Sequence, residues 1–270
     1  MDAALSSRLR RVTSRQNALV RELRSAFAHP RDAENGSCAI ESVRMLEEAI
    51  RSGVRFKAVF FRESSQDLAG RLLPQINSRV ETLLLPDEVF TSAVATETPQ
   101  GVAALVNLRT FKLEDVFRRE SPLVVALSGI QDPGNLGTIL RSAEAFSAAG
   151  VLLLEKTVSP FNAKALRASA GSVFRLPVID VKSADLIGEL KKHEVRLLAT
   201  SSHKGTPAAD VNLTGPVALF IGGEGAGLPR EVLAKADEVV AIPHSPQVES
   251  LNAAIAASIL LYEAWRQREL

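Results

Sequence analysis

Three short stretches of the chain carry side chains whose types and spacing could do chemistry. The first, GIQDPGNLGTILRSAEAF (129–146), sets Asn135 six residues ahead of Arg141 with Gly137 between them. An amide and a guanidinium nearly two helical turns apart can orient a reactant and stabilise developing negative charge. Asn135 suits a helix N-cap, and Gly137 in the first turn allows close backbone approach. The second, LFIGGEGAGLP (219–229), places four glycines around Glu224. Its backbone N–H groups suit a polar or anionic ligand group. It is neither G-x-G-x-x-G nor a Walker A loop, since no Gly-Lys-Ser/Thr follows. The third, IPHSPQVESLNAAIAAS (242–258), enters the last helix at Ser250-Leu251-Asn252. Ser250 is a natural N-cap, whereas Asn252, in the first turn of a buried helix, is hard to assign to a core. The four histidines, His29, His193, His203 and His244, show no metal-ligand spacing, and no metal is expected. The single cysteine, Cys38, excludes an intramolecular disulfide and a Cys-based zinc site.

The elements around these stretches follow from apolar patterning. LVVALSGI (123–130), VLLLE (151–155), VRLLAT (195–200) and PVALFIGG (216–223) are continuous apolar runs, and EVVAIP (238–243) is the last strand. Such runs read as strands buried on both faces, hence a parallel sheet covered by helices on both sides. In such sheets ligands bind beyond the carboxyl ends of the strands, where all three stretches lie. The final helix is apolar nearly all round in its first three turns and must be buried by the sheet, by a partner subunit or by both. Earlier in the chain the patterns predict helices over 14–28 and 38–53, a strand over 56–63, a helix over 67–78 interrupted near Pro74, and strands over 81–86 and 101–108. The charged segment 109–122 marks a boundary. The fold class is therefore α/β, with domains over 1–109 and 122–270 and a linker over 110–121.

With 32 Lys+Arg against 31 Asp+Glu, the 270-residue chain has a formal net charge of +1. Contact with nucleic acid must then come from local charge. The candidates are Arg10, Arg11 and Arg15 near the start and Lys164 and Arg167 in KALRASAGSVFRLPV (164–178). The longest apolar stretch, AAIAASILLY (253–262), is too short to span a bilayer, and the N-terminus shows no apolar signal region. A cytoplasmic protein with no membrane association is expected.

The three stretches in order, Asn135–Arg141 as N-x-G-x-x-x-R, GGEGAGL (222–228) and IP…SLNAA (242–254), resemble the motifs of the SpoU/TrmH branch of the SPOUT RNA ribose 2′-O-methyltransferases. The segment 164–178 resembles the family's stretch between its first two motifs. GSCAIESVRMLEEAIRSG and TPQGVAALV resemble the L30e-like substrate-binding domain often attached to these enzymes, except that the usual Glu-Gly pair is here Glu41-Ser42. The resemblance implies a deep trefoil knot, S-adenosylmethionine as methyl donor and a homodimer. It also implies a cofactor pocket using Gly223, Glu224, Gly225, Leu228, Ile242, Ser250 and Leu251. Arg141 is implied as the essential catalytic residue, with Asn135, Glu224, Ser250 and Asn252 orienting it and the ribose. The attached domain points to 23S ribosomal RNA as substrate, with transfer RNA as the alternative. A non-catalytic RNA-binding assembly protein on the same fold is a reading of a different class. A nicotinamide-dependent dehydrogenase is disfavoured, because QDPGNLG lacks the dinucleotide fingerprint.

Overall fold

A computed structural model describes residues 8–30, 37–202, 204–223, 225 and 227–269; Glu224 and His203 fall outside them. The chain forms two compact units. The first takes residues up to Thr110 together with Phe161–Phe174, and the second takes Phe111–Pro160 and the chain from Arg175 onward.

In the first unit the elements are β1 (Leu9–Arg11), α1 (Ala18–Ala28), β2 (Ser37–Glu41), α2 (Val43–Arg51), β3 (Arg55–Arg62), α3 (Asp67–Leu72), β4 (Glu81–Leu85), α4 (Asp87–Thr91) and β5 (Val102–Asn107). The strands make one mixed sheet in the order β1-β4-β3-β5-β2. Several boundaries differ from the patterning. The helix expected from residue 14 begins at Ala18, because Asn17 accepts the Leu19 N–H and caps it. The helix expected over 38–53 divides: Ser37–Glu41 is a fully buried strand, and the helix begins only after Ser42. Ser42 turns the chain at φ 91°, and its hydroxyl accepts the Met45 N–H. The helix expected over 67–78 gives way to a tighter 3-10 turn at Leu73–Gln75, where Pro74 lacks the N–H needed to continue it.

The second unit holds α5 (Leu113–Val116), β6 (Leu123–Ser128), α6 (Pro133–Ala145), β7 (Gly150–Leu153), β8 (Val178–Asp180), α8 (Ser183–Lys192), β9 (Arg196–Ser201), β10 (Thr206–Pro207), β11 (Val217–Gly222), α9 (Arg230–Leu233), β12 (Glu238–Ala241) and α10 (Ala253–Glu269), while α7 (Ala163–Ser169), between β7 and β8 in the chain, belongs to the first unit. Its seven strands run all parallel in the order β10-β12-β9-β11-β6-β7-β8. Alternate residues along a strand point to opposite faces, and here both sets are buried. Val124, Ala126, Leu152, Leu197 and Phe220 pack with Leu186 and Leu190 of α8. Val125, Leu127, Val151, Leu198 and Leu219, on the other face, are equally buried, and α6 and α10 lie against β7 and β11. The segment taken as a linker contains α5, whose Val116 belongs to this unit's core.

The final helix is buried on one face only. Ala253, Ala257, Leu260, Leu261 and Ala264 are buried, while Ile255, Ile259 and Tyr262 remain 54%, 39% and 49% exposed. Its end is tied down by Arg268, which donates to the carbonyls of Ser121, Leu213 and Gly215. Among the described residues no helix is long and apolar enough to cross a membrane.

Candidate active site

The three chemically unusual stretches meet at the carboxyl edge of the parallel sheet. In the first, the N-cap of α6 is Asp132 rather than Asn135: the Asp132 carboxylate accepts the Asn135 N–H at 2.9 Å, and Pro133 fills the first helical position. Proline is well suited there, since its missing N–H would have no helical partner. Asn135 is thereby released from capping, and its side chain turns to the third stretch. There the cap of α10 is Asn252 rather than Ser250. The Asn252 side-chain carbonyl accepts the N–H groups of Ala254 and Ile255, at 3.0 and 3.3 Å. That use of the oxygen directs the amide nitrogen outward, and it donates to Asn135 Oδ1 at 3.1 Å. One asparagine thus starts the last helix and joins the first stretch to the third.

The glycine stretch folds back on itself and against the sheet edge. Gly223 donates to Ser128 O at 2.8 Å, and Gly227 donates to Gly223 O at 3.1 Å. A Cβ at Gly223 would overlap the Gly129 carbonyl, and one at Gly222 would overlap the Gly227 backbone. Gly225 and Gly227 adopt φ 91° and 62°, a region costly to residues with a side chain. The two N–H groups just named are spent within the protein, and the following helix, α9, is only four residues long. The glycine stretch forms a thin wall at the sheet edge.

That wall bounds a cavity of about 590 Å³. Gly223, Gly225, Leu228, Ile242, Ser250 and Leu251 all line it. Thr200, Ser201 and Ser202, at the carboxyl end of β9, and His244 line it too. The patterning did not single out the β9 end, although its place at the carboxyl edge was the available signal. The His244 ring is held by a 2.7 Å contact between Nδ1 and the Ile242 carbonyl; a carbonyl can only accept, so Nδ1 carries the proton.

The charged candidates fall into different situations. Arg141 is exposed on α6 and, among the described residues, has no hydrogen-bond or ion-pair partner. Arg10, Arg11 and Arg15 each face a carboxylate: Glu81 at 3.1 Å, Glu63 at 2.5 Å and Glu88 at 3.8 Å. Hydrogen bonding to Glu63 raises the Arg11 pKa further above its ordinary value. Lys164 and Arg167 are exposed on α7, within the compact unit formed with the N-terminal sheet. Arg167 lies close enough to the buried Glu41 to oppose, with the Thr96 hydroxyl at 2.7 Å, the upward pKa shift that burial imposes on that carboxyl.

A glycine-walled cavity lined by both apolar side chains and hydroxyl groups suits a nucleoside-sized ligand with polar substituents. S-adenosylmethionine meets that description. Leu228, Ile242 and Leu251 offer apolar side chains to such a ligand, and Ser250, Ser201 and Ser202 offer hydroxyls.

Residues 122–262 match the SpoU rRNA Methylase family, and residues 17–104 match the MRM3-like substrate binding domain. An uncharacterized tRNA/rRNA methyltransferase of Synechocystis is 36% identical, the alignment covering 98% of this chain and 96% of that one. The 23S rRNA (guanosine(2553)-2′-O)-methyltransferase RlmP of Bacillus subtilis is 30% identical over 94% of this chain and 98% of its own length. The crystal structure of the SpoU methyltransferase AviRb from Streptomyces viridochromogenes, in complex with AdoMet, superposes with a TM-score of 0.83 at 28% identity, covering 94% of this chain and 99% of that one. By its catalytic half and by its nearly full-length relatives alike, the chain belongs to the SpoU rRNA methylase family.

Proposed function

We propose that this protein methylates a ribose 2′-hydroxyl of 23S ribosomal RNA, using S-adenosylmethionine. The observation that carries the reading is the Asn135–Asn252 bond at the edge of the glycine-walled cavity. It holds the start of the helix bearing Arg141 against the loop that closes the cofactor cavity. The full-length match to a 23S rRNA 2′-O-methyltransferase supports the choice of substrate over transfer RNA.

Bound S-adenosylmethionine would supply an electrophilic methyl carbon on a sulfonium; the ribose 2′-oxygen would take that methyl as the C–S bond breaks to leave the thioether, and the hydroxyl proton would pass to solvent water. The protein need form no covalent bond of its own; its task is positioning, worth roughly 7–11 kcal/mol for well-oriented reactants. Arg141 acts as a cation. It holds the phosphate beside the reacting ribose and stabilises the negative charge that grows on the 2′-oxygen. Asn135 and Asn252, fixed by each other, orient the ribose, with Glu224 and Ser250 as further partners. The first unit binds the RNA. Lys164 and Arg167, exposed on α7, join Arg10, Arg11 and Arg15 as the phosphate contacts.

The protein acts as a homodimer in the cytoplasm. Ile255, Ile259 and Tyr262 recur at helical spacing on the exposed side of α10. Tyr262 also contacts Phe146 and Trp265 at ring distances of 5.7 and 6.2 Å, extending the apolar surface a second subunit would cover. Methyl transfer to 23S rRNA, lost in Arg141→Ala with cofactor affinity kept, tests the reading; an Arg141→Ala variant with wild-type turnover would remove its central residue.

A further inference from the structure

We propose that Ser142 is a positioning residue for Arg141, acting through a hydrogen bond its hydroxyl donates to Ser258. This rests on the reading of Arg141 as the cation at the reacting ribose. The two hydroxyl oxygens are 2.7 Å apart, linking α6 to α10. Geometry alone leaves the donor open, but chemistry decides it. Ser258 Oγ also lies 2.7 Å from the Ala254 carbonyl, one turn back in its own helix. A carbonyl only accepts, so the single Ser258 proton is spent there, and Ser142 must supply the proton of the bond between the helices. Ser258 is thereby a fixed acceptor, its rotamer set by its own backbone.

Asn135 and Ser142 are seven residues apart on α6, which places them on one face and about 10.5 Å apart along the axis. Asn135 is bonded to Asn252 and Ser142 to Ser258, so α6 is tied to the last helix near both ends of that face. Leu136, Ile139, Leu140 and Ala143 pack the apolar face of α6, and the second tie sets the polar edge of the helix one residue from Arg141. The Arg141 guanidinium has no partner of its own among the described residues, so its place relative to the cofactor loop is inherited from the α6 backbone. Displacements of about 1 Å in a reacting array cost on the order of a hundredfold in rate, whereas a single hydrogen bond adds only modestly to folding stability. The two contributions are therefore separable by experiment.

The test compares Ser142→Ala, Ser258→Ala, the double variant and Ser142→Thr with the wild type and Arg141→Ala. Melting temperature, S-adenosylmethionine affinity by calorimetry, and kcat and KM for methyl transfer to 23S rRNA are read for each. Each alanine variant is expected to lose roughly tenfold or more in kcat, with KM, cofactor affinity and melting temperature near the wild type. The double variant should be no slower than either single one, because both break the same bond. Ser142→Thr, which keeps a donor, should recover most of the rate. Wild-type kcat in Ser142→Ala, or a loss that follows cofactor affinity or melting temperature, would overturn the inference alone. A wild type that does not methylate RNA, or an active Arg141→Ala, would overturn the functional reading and the inference with it.

Discussion

Glu41 and its neighbour Ser42 are both held in states that cost free energy. Ser42 sits at φ 91° and ψ 148°, where an L side chain is strained by about 1–3 kcal/mol. In return it caps α2, a contribution that glycine gives up at a cost of only a few tenths of a kcal/mol. Ser42→Gly should therefore raise stability by about 1 kcal/mol after the extra chain entropy of glycine is subtracted, read as a higher urea midpoint; a lower midpoint would mean that the hydroxyl outweighs the strain. Glu41 is buried, and burial raises its pKa despite the Thr96 hydroxyl and the Arg167 charge. The native state then binds a proton more readily than the unfolded chain, so this group's stabilising share is complete below the ordinary carboxyl value near ~4.3 and is lost as pH rises through the folded value. Glu41→Gln keeps an acceptor for Thr96 and should flatten that part of the pH–stability curve, gaining most at neutral pH. An unchanged slope would place the titration elsewhere. At this scale the sequence singled out polar residues near the two helix starts, but not which of them cap the helices. Asn135 and Ser250 both fit capping by type, yet Asp132 and Asn252 do the capping. Several polar residues lie near each helix start, and only the path of the backbone decides which side chain reaches the open N–H groups.

The glycine stretch behaves as one element. Its composition was legible, and so was its place after a buried strand. What could not be read was that Gly223 lies against Gly129, 94 positions away in the chain and brought there only because β11 and β6 pair in parallel. Gly223→Ala should force the loop off the sheet edge, cost about 1–3 kcal/mol as overpacking does and lower S-adenosylmethionine affinity in calorimetry. Unchanged affinity would show that the loop can shift without reshaping the cavity. The division of 38–53 escaped the patterning for a related reason. Ser37–Glu41 is buried throughout, so it shows no polar alternation to set it apart from the helical repeat that follows.

Across the whole chain, the α/β class and the parallel sheet could be read from apolar runs, because strands covered on both faces have a distinct composition. Strand order could not, since it records which strands pair and not what any one of them contains. The placing of 161–174 with the first unit escaped for the same reason: Ala165 and Leu166 are apolar enough to pack on either unit. The exposed stripe on α10 gives a further prediction. Sedimentation equilibrium should find the wild type dimeric and Ile255→Arg/Ile259→Arg monomeric. A monomeric wild type would refute the proposed dimer, and a variant that stays dimeric would place the interface elsewhere. The most direct test of the central claim is incubation with tritiated S-adenosylmethionine and separate pools of unmodified 23S ribosomal RNA and transfer RNA, with Arg141→Ala alongside. The account predicts label in 23S rRNA at a single ribose that resists alkaline cleavage, and none with the variant. Label in transfer RNA alone would contradict the substrate, and label on a base or undiminished transfer by Arg141→Ala would contradict the chemistry.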